Sequence, residues 1–228
     1  IRHEIESVDG GLLEKQAIVY ETGFRLPDGI GPKPPYHVLI HSLTNHRERN
    51  SKIAAQAVAA VQRQRFPLLV SDRKEHLEFL EKLIKEESEK QQCPVAVVRL
   101  AGEMSGKERA AALNEIRELR STQARVILMS TGSLIGEGFD LPELDTLILT
   151  TPLSFEGRMI QYAGRLHRLC TNKTKVEVID FVDSYIAMCL KMYRNRGKAY
   201  KKMGYQVSEH GYLFSSKQSS MPFTGVTE

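Results

Sequence analysis

Two arginines, Arg165 and Arg168, stand three residues apart in the stretch Gln161-Tyr162-Ala163-Gly164-Arg165-Leu166-His167-Arg168. On a helix that spacing places them on one face. Upstream lies a Gly-rich, partly acidic turn, Gly136-Glu137-Gly138-Phe139-Asp140. A fixed pair of guanidinium groups beside such a turn suits a phosphate site at an interface, because each planar guanidinium can donate two parallel hydrogen bonds to phosphate oxygens. A solvated arginine pair near an ordinary strand-to-helix turn is the other reading, and residue chemistry alone leaves both open. His167, between the arginines, has no visible proton-transfer partner; a hydrogen bond within the loop is favoured over acid–base work.

The elements that must position these residues follow from periodicity. Residues 127–168 read as strand, Gly-rich turn, strand, loop and helix, with Arg165 and Arg168 both on that helix. Apolar runs predict strands over 65–71, 95–100, 124–130, 144–150 and 175–181, and the near-continuous apolar character of 95–100 suits a buried parallel sheet. Helices are expected over 44–64, from Asp72 onward, over 108–120 and over 184–203. The first has Ile53, Ala57 and Val61 at four-residue spacing, with Thr44 or Asn45 as its cap and Arg49 and Asn50 read as surface positions. Ser105 with Glu108 three residues on makes a capping box, and Gly204 ends the last helix. In that helix Tyr185, Met188 and Met192 are expected to pack on the sheet, while Lys191, Arg194, Arg196, Lys198, Lys201 and Lys202 read as solvated. The alternation of strand and helix signals an α/β fold with a doubly wound parallel sheet. Loops at the carboxyl ends of its strands converge on one edge, which gathers Ser71, Gly102, Thr131, Thr151 and Asp180.

Composition sets bounds. The formal net charge is +4, from 32 basic and 28 acidic residues, which permits nucleic-acid binding without demanding it. The 3 cysteines, Cys93, Cys170 and Cys189, have neither zinc nor disulfide spacing, and an intracellular location is the economical expectation. No apolar run approaches the ~20 residues of a membrane span. The first residue is Ile, so a piece of a longer chain is expected. The segment from Gly102 to Lys107 reads G-x-x-x-G-K but is followed by Glu108, which is not a Walker A loop.

The motifs resemble those of superfamily-two helicases and translocases. Thr131-Gly132-Ser133 with Gly136-Glu137-Gly138-Phe139-Asp140 is similar to the fifth motif, and Gln161 through Arg168 to the sixth. The resemblance covers about residues 44–204 and implies a second motor domain: a three-layer α-β-α, RecA-like, mostly parallel sheet, P-loop NTPase-like but without its own Walker A loop. It implies Arg168 as an arginine finger, Arg165 as a second phosphate contact and Gln161 near the phosphates or attacking water. It implies Gly136, Gly138, Asp140 and Gly164 on the nucleotide side, and Ser71, Arg73, Thr131 and Gly132 on a nucleic-acid backbone. ATP and Mg2+ are implied for a full-length parent, held mainly by a first RecA-like domain of the same polypeptide; none is required for this chain to fold, and alone it is expected to neither hydrolyse ATP nor unwind a duplex. Gln161-Tyr162 stands where RNA-dependent DEAD-box proteins usually have His-Arg. DNA is therefore the expected partner and RNA the alternative, in a DEAD/DEAH-type protein nearest the bacterial restriction and excision-repair branch, cytoplasmic and without membrane contact. Residues 1–41 are expected to be the tail of, or linker from, a preceding domain, 42–204 the motor domain, and 205–228 an extension with a short strand. Within 1–41, residues 17–24 read as a short strand and 36–41 as an extended segment. The competing readings are a non-catalytic interaction domain of a degenerate helicase-like protein and an unrelated nucleotide-binding α/β enzyme.

Overall fold

The computed structural model describes residues 13–132, 141–153 and 156–211. In chain order the elements are β1 (Glu14–Glu21), α1 (Tyr36–Asn45), α2 (Arg47–Gln62), β2 (Pro67–Ser71), α3 (Lys74–Lys90), β3 (Ala96–Leu100), α4 (Gly106–Ser121), β4 (Val126–Thr131), β5 (Thr146–Leu149), α5 (Glu156–Leu166), β6 (Lys175–Val182), α6 (Ala187–Lys202) and β7 (Gln206–His210). The strands form one sheet in the order β3-β4-β2-β5-β6-β1-β7, and all its pairings are parallel. Residues that alternate along a strand point to opposite faces. Thus Leu68, Val70, Val126, Leu128 and Leu147 pack under α4, α5 and α6, while Leu69, Ile127, Met129 and Ile148 pack under α2 and α3. Helices on both faces give a three-layer α-β-α architecture. No described helix is long and apolar enough to cross a membrane.

Local chemistry sets several boundaries. The capping box on α4 is present, with the Ser105 hydroxyl accepting from the Glu108 N–H and the Glu108 carboxylate accepting from the Ser105 N–H. Gly204 takes φ +80°, a left-handed conformation that a glycine adopts without strain, and stops α6. The region expected as an extended segment and one helix is instead two helices, α1 and α2. The imidazole of His46, not Thr44 or Asn45, caps α2 by accepting from the Arg49 N–H. Apolar burial of Leu39, Ile40 and Leu43 at helical spacing overrides the extended reading of residues 36–41.

Other expectations change. β1 lies between β6 and β7, so residues 14–21, within the segment read as a tail or linker, belong to the sheet, as does β7. β3 is an edge strand of the parallel sheet, with Arg99 exposed. On α6, Arg196 is 3% exposed rather than solvated, and just before the helix Tyr185 is 43% exposed rather than packed on the sheet.

Arg196 is buried because it has a carboxylate to meet. Its Nε and Nη2 donate to the two oxygens of Asp180 at 2.8 and 2.9 Å, and the Tyr200 hydroxyl donates to the same carboxylate at 2.8 Å. Its Nη1 donates to the Leu153 carbonyl at 2.9 Å, tying α6 and β6 to the segment after β5. Asp180→Ala leaves a buried guanidinium uncompensated and is expected to cost roughly 3–5 kcal/mol in urea unfolding. The double substitution Asp180→Leu, Arg196→Met should recover much of that loss. A single variant as stable as the wild type would show that the pair does not anchor α6.

Candidate functional site

The carboxyl ends of β4, β2 and β5 lie side by side, since β2 pairs with both neighbours. Ser71 and Thr131 are register partners at the ends of their strands. The loops that follow bring together Asp72-Arg73, Thr131-Gly132 and Thr150-Thr151. Arg73 is exposed, and among the described residues its guanidinium forms no ion pair. Gly132 sits in a tight place: a Cβ there would stand 2.3 Å from the Tyr162 hydroxyl and 2.4 Å from Asp72 Oδ1. Close approach explains the glycine. The Tyr162 hydroxyl is itself buried and has no hydrogen-bond partner among the described residues. Burial, with the Asp72 charge adding, pushes its phenol up to about 12.

Ser71 does not face outward. Its hydroxyl is fully buried, bonded to His76 Nδ1 at 2.9 Å and accepting from the Arg73 N–H at 3.2 Å. His76 Nε2 lies 3.0 Å from Asn50 Oδ1, while Asn50 Nδ2 donates to the carbonyls of Leu43 and Thr44. This network assigns the proton to His76 Nε2, which donates to Asn50, and leaves Nδ1 to accept from Ser71. A chain of hydrogen bonds therefore runs from the α1–α2 junction through α2 and α3 to the backbone of Arg73. Beside it, Arg49 donates to both oxygens of Asp183 at 2.8 and 3.2 Å with neither side chain exposed, and Thr22 donates to Asp183 Oδ1 at 2.6 Å. Burial, reinforced by the nearby Arg49 charge, lowers His76 to about 3, so it is neutral.

The second group of residues rides on α5. Met159, Tyr162, Ala163 and Leu166 form its buried stripe, which turns Arg158, Gln161 and Gly164 outward and leaves Arg165 half-buried. A Cβ at Gly164 would meet nothing within 4 Å, so its face is open toward solvent. The helix stops at Leu166, and Arg168 lies just beyond it rather than on a shared helical face with Arg165. The Arg168 carbonyl is held by the buried Lys173 amine at 3.1 Å, which also reaches the Pro142 carbonyl at 2.8 Å. His167 does hydrogen-bond internally, but to the Tyr205 hydroxyl at 2.9 Å and not within its loop. Burial lowers His167 to about 4. At its start α5 reaches the other group: Arg158 Nη1 donates to Asp72 Oδ2 at 2.9 Å.

Gly136, Gly138 and Asp140 lie outside the described residues. Sequence reasoning did not single out Arg158, Tyr162, Asp72, Asp183 or His76, and it placed Arg49 and Asn50 on the surface. A signal existed for two of them. Arg49 falls one turn before Ile53, Ala57 and Val61, on the same stripe, and His76 falls one turn before Leu80 and Ile84. Among the described residues no three His, Cys, Asp or Glu side chains gather as metal ligands.

Residues 50–170 match the family described as "Helicase conserved C-terminal domain". No curated protein matches the chain in sequence. Among solved structures, that of phage T4 UvsW is similar with a TM-score of 0.64 at 18% identity, covering 86% of this chain and 41% of UvsW, so the chain spans well under half of that protein's length. The E. coli DEAD-box protein SrmB, solved with the regulator of ribonuclease activity A, gives 0.55 at 14% identity, covering 95% of this chain and 98% of that one. Domain 2 of the DEAD-box helicase Mss116p, solved with an RNA duplex, gives 0.52 at 12% identity, covering 90% and 67%.

The neutral His76 makes stability depend on pH. Unfolded, the imidazole takes a proton near its ordinary value of 6.5; folded, it does so only near 3. Between those values the unfolded state binds more protons, so stability is full above about pH 6.5 and falls as pH drops through the window, by up to about 1.4 kcal/mol per pH unit for this group. Urea midpoints at pH 7, 6, 5 and 4 are expected to decline more steeply for the wild type than for His76→Gln. Equal slopes in the two proteins would remove His76 as a source of the decline.

Proposed function

Because this chain belongs to the helicase conserved C-terminal domain family, we propose that it is the second motor domain of an ATP-dependent DNA helicase or translocase. The carrying observation is α5, whose apolar stripe turns Gln161 and Gly164 outward beside the half-buried Arg165, with the Arg168 backbone anchored just past its end. Guanidinium and amide groups are donors that suit phosphate oxygens, so this set fits the phosphates of ATP held mainly by a first motor domain. When bound, ATP with Mg2+ supplies the phosphoryl group to be transferred. In this reading Arg168 stabilises charge developing on that group, Arg165 makes a second phosphate contact, Gln161 orients the phosphates or the water, and Gly164 lets the partner surface come close. Gly136, Gly138 and Asp140 belong to the same nucleotide side.

The nucleic-acid side is the edge formed by Asp72-Arg73 and Thr131-Gly132. Arg73 offers a charge-assisted contact to a backbone phosphate, and Thr131 and Gly132 offer hydroxyl and N–H donors. The buried Ser71 serves here as a positioning residue, since its hydroxyl holds the Arg73 N–H. That the similar Mss116p domain 2 was solved with an RNA duplex supports a nucleic-acid partner. The preference for DNA rests on Gln161-Tyr162, and a cytoplasmic setting goes with that reading.

The test is ATP turnover by a polypeptide carrying both motor domains, with and without single- and double-stranded DNA. Arg168→Ala is expected to lower nucleic-acid-stimulated turnover by about 10³–10⁵-fold while the fold is kept. An unaffected variant would take Arg168 out of the finger role. No turnover with any nucleic acid would favour the non-catalytic interaction domain.

A further inference from the structure

A cavity of about 170 Å³ opens at the carboxyl edge of the sheet, lined by Tyr36, Ile40, Asp72, Arg73 and Thr151. Its composition is not that of a backbone groove alone. Tyr36 is 49% exposed although it begins a helix whose Leu39, Ile40 and Leu43 are buried. Opposite stands Arg73, exposed and on the loop held by the Ser71–His76 chain. Ile40 supplies an aliphatic wall. Asp72 lends little net negative charge, because Arg158 pairs with it at 2.9 Å. Both helices that start here, α1 at Tyr36 and α3 at Lys74, have no side-chain cap among the described residues, so their first N–H groups lack a side-chain acceptor there. The Tyr162 hydroxyl, on a residue 1% exposed and without a hydrogen-bond partner among the described residues, lies near the same Asp72.

We propose that this cavity takes one unstacked base of a single-stranded nucleic acid, stacked on the Tyr36 ring, while Arg73 and the open start of α3 hold the adjoining phosphate. Size agrees: a cavity of roughly 150 Å³ admits a benzene ring, and this one has the volume for a single six-membered base ring. Chemistry agrees as well. An aromatic face beside a guanidinium is the pairing that binds single strands with little sequence preference, because every base offers a π face and every linkage a phosphate. A duplex keeps its bases paired and cannot fill the cavity, so the inference assigns this edge to a single strand. It rests on the nucleic-acid reading of the same edge given above.

The experiment is fluorescence anisotropy with a short labelled thymidine oligonucleotide and with the same backbone lacking its bases. The proteins are the wild type, Tyr36→Ala, Tyr36→Phe and Arg73→Ala, with circular dichroism confirming that each folds. The wild type is expected to bind the base-bearing strand about tenfold more tightly than the abasic one. Tyr36→Phe should keep that difference and Tyr36→Ala should lose it. Arg73→Ala should weaken both strands alike and reduce the salt slope by about one. If Tyr36→Ala binds as the wild type does while Arg73→Ala is weakened, the base site is wrong and the backbone reading stands. If the wild type binds neither strand, both fail together.

Discussion

The buried contact between Arg49 and Asp183 is the constraint on which the functional edge depends. Both side chains are fully removed from solvent, and an isolated charge there would be costly. Each is made tolerable only by the other and by neutral partners: Thr22 donates to Asp183, and Asn50 accepts from Arg49 Nη1 at 3.3 Å. The contact joins α2 to the end of β6 and to the segment following β1. Apolar layers on the two sheet faces supply most of the stabilisation, at roughly 1.5–3 kcal/mol per buried Leu, Ile or Val. They do not fix direction. Hydrogen bonds do, and this set requires α2 to meet β6 in one register. From Asn50 the same requirement passes through His76 and Ser71 to the loop carrying Arg73. An exposed arginine on a loop is thereby seated by residues that never reach the surface.

The helix α5 has a different logic. Its inner stripe holds it to the sheet, and its outer positions remain for recognition. The exposed pair Arg158–Asp72 contributes little to that hold, since ion pairs with side chains 52% and 41% exposed are worth at most about 1 kcal/mol. Its importance is positional. It joins the helix bearing Gln161 and Arg165 to the loop bearing Arg73, and Tyr162 packs from the same helix against Gly132. The smallest residue at position 132 is what lets the helix and loop come this close.

Much of the fold was legible in the sequence, and the exceptions have physical causes. Strands rich in Val, Ile and Leu with helices between them could only make a parallel sheet covered on both sides, and the Ser105 cap and Gly204 stop were readable from local chemistry. The strand read over 17–24 is β1, shifted to Glu14–Glu21, but its place in the sheet was hidden: partners in a parallel sheet lie far apart along the chain, and EKQAIVYE carries no mark of β6 beside it. For the same reason the apolar run of β3 showed a strand of a parallel sheet and not its position at the edge. In the candidate site, motif residues such as Gln161, Arg165 and Arg73 could be nominated from the sequence, whereas the residues that support them could not. Arg49, His76 and Arg196 are polar types whose default is solvent. Only the carboxylate or amide waiting in another element reverses that default, and such pairing across 16 to 134 residues has no local signature.

A mild overall charge is consistent with a strongly basic task because the relevant field is local. The 28 acidic residues nearly balance the 32 basic ones, yet acidic groups near the edge are already engaged: Asp183 by Arg49, Asp180 by Arg196, and Asp72 by Arg158. Of the charged residues lining the cavity, Asp72 is paired with Arg158, which leaves Arg73 as its cation for an incoming phosphate, with Glu75 in the first turn of α3 the nearest exposed carboxylate along the chain. The same pairing connects the loop of Arg73 to α5, since Arg158 of α5 holds Asp72 and Tyr162 of α5 packs at Gly132. If, as proposed, phosphates of nucleic acid meet Arg73 and those of a nucleotide meet α5, the shortest path between the two ligands runs through that ion pair and that glycine–tyrosine contact, not through the sheet.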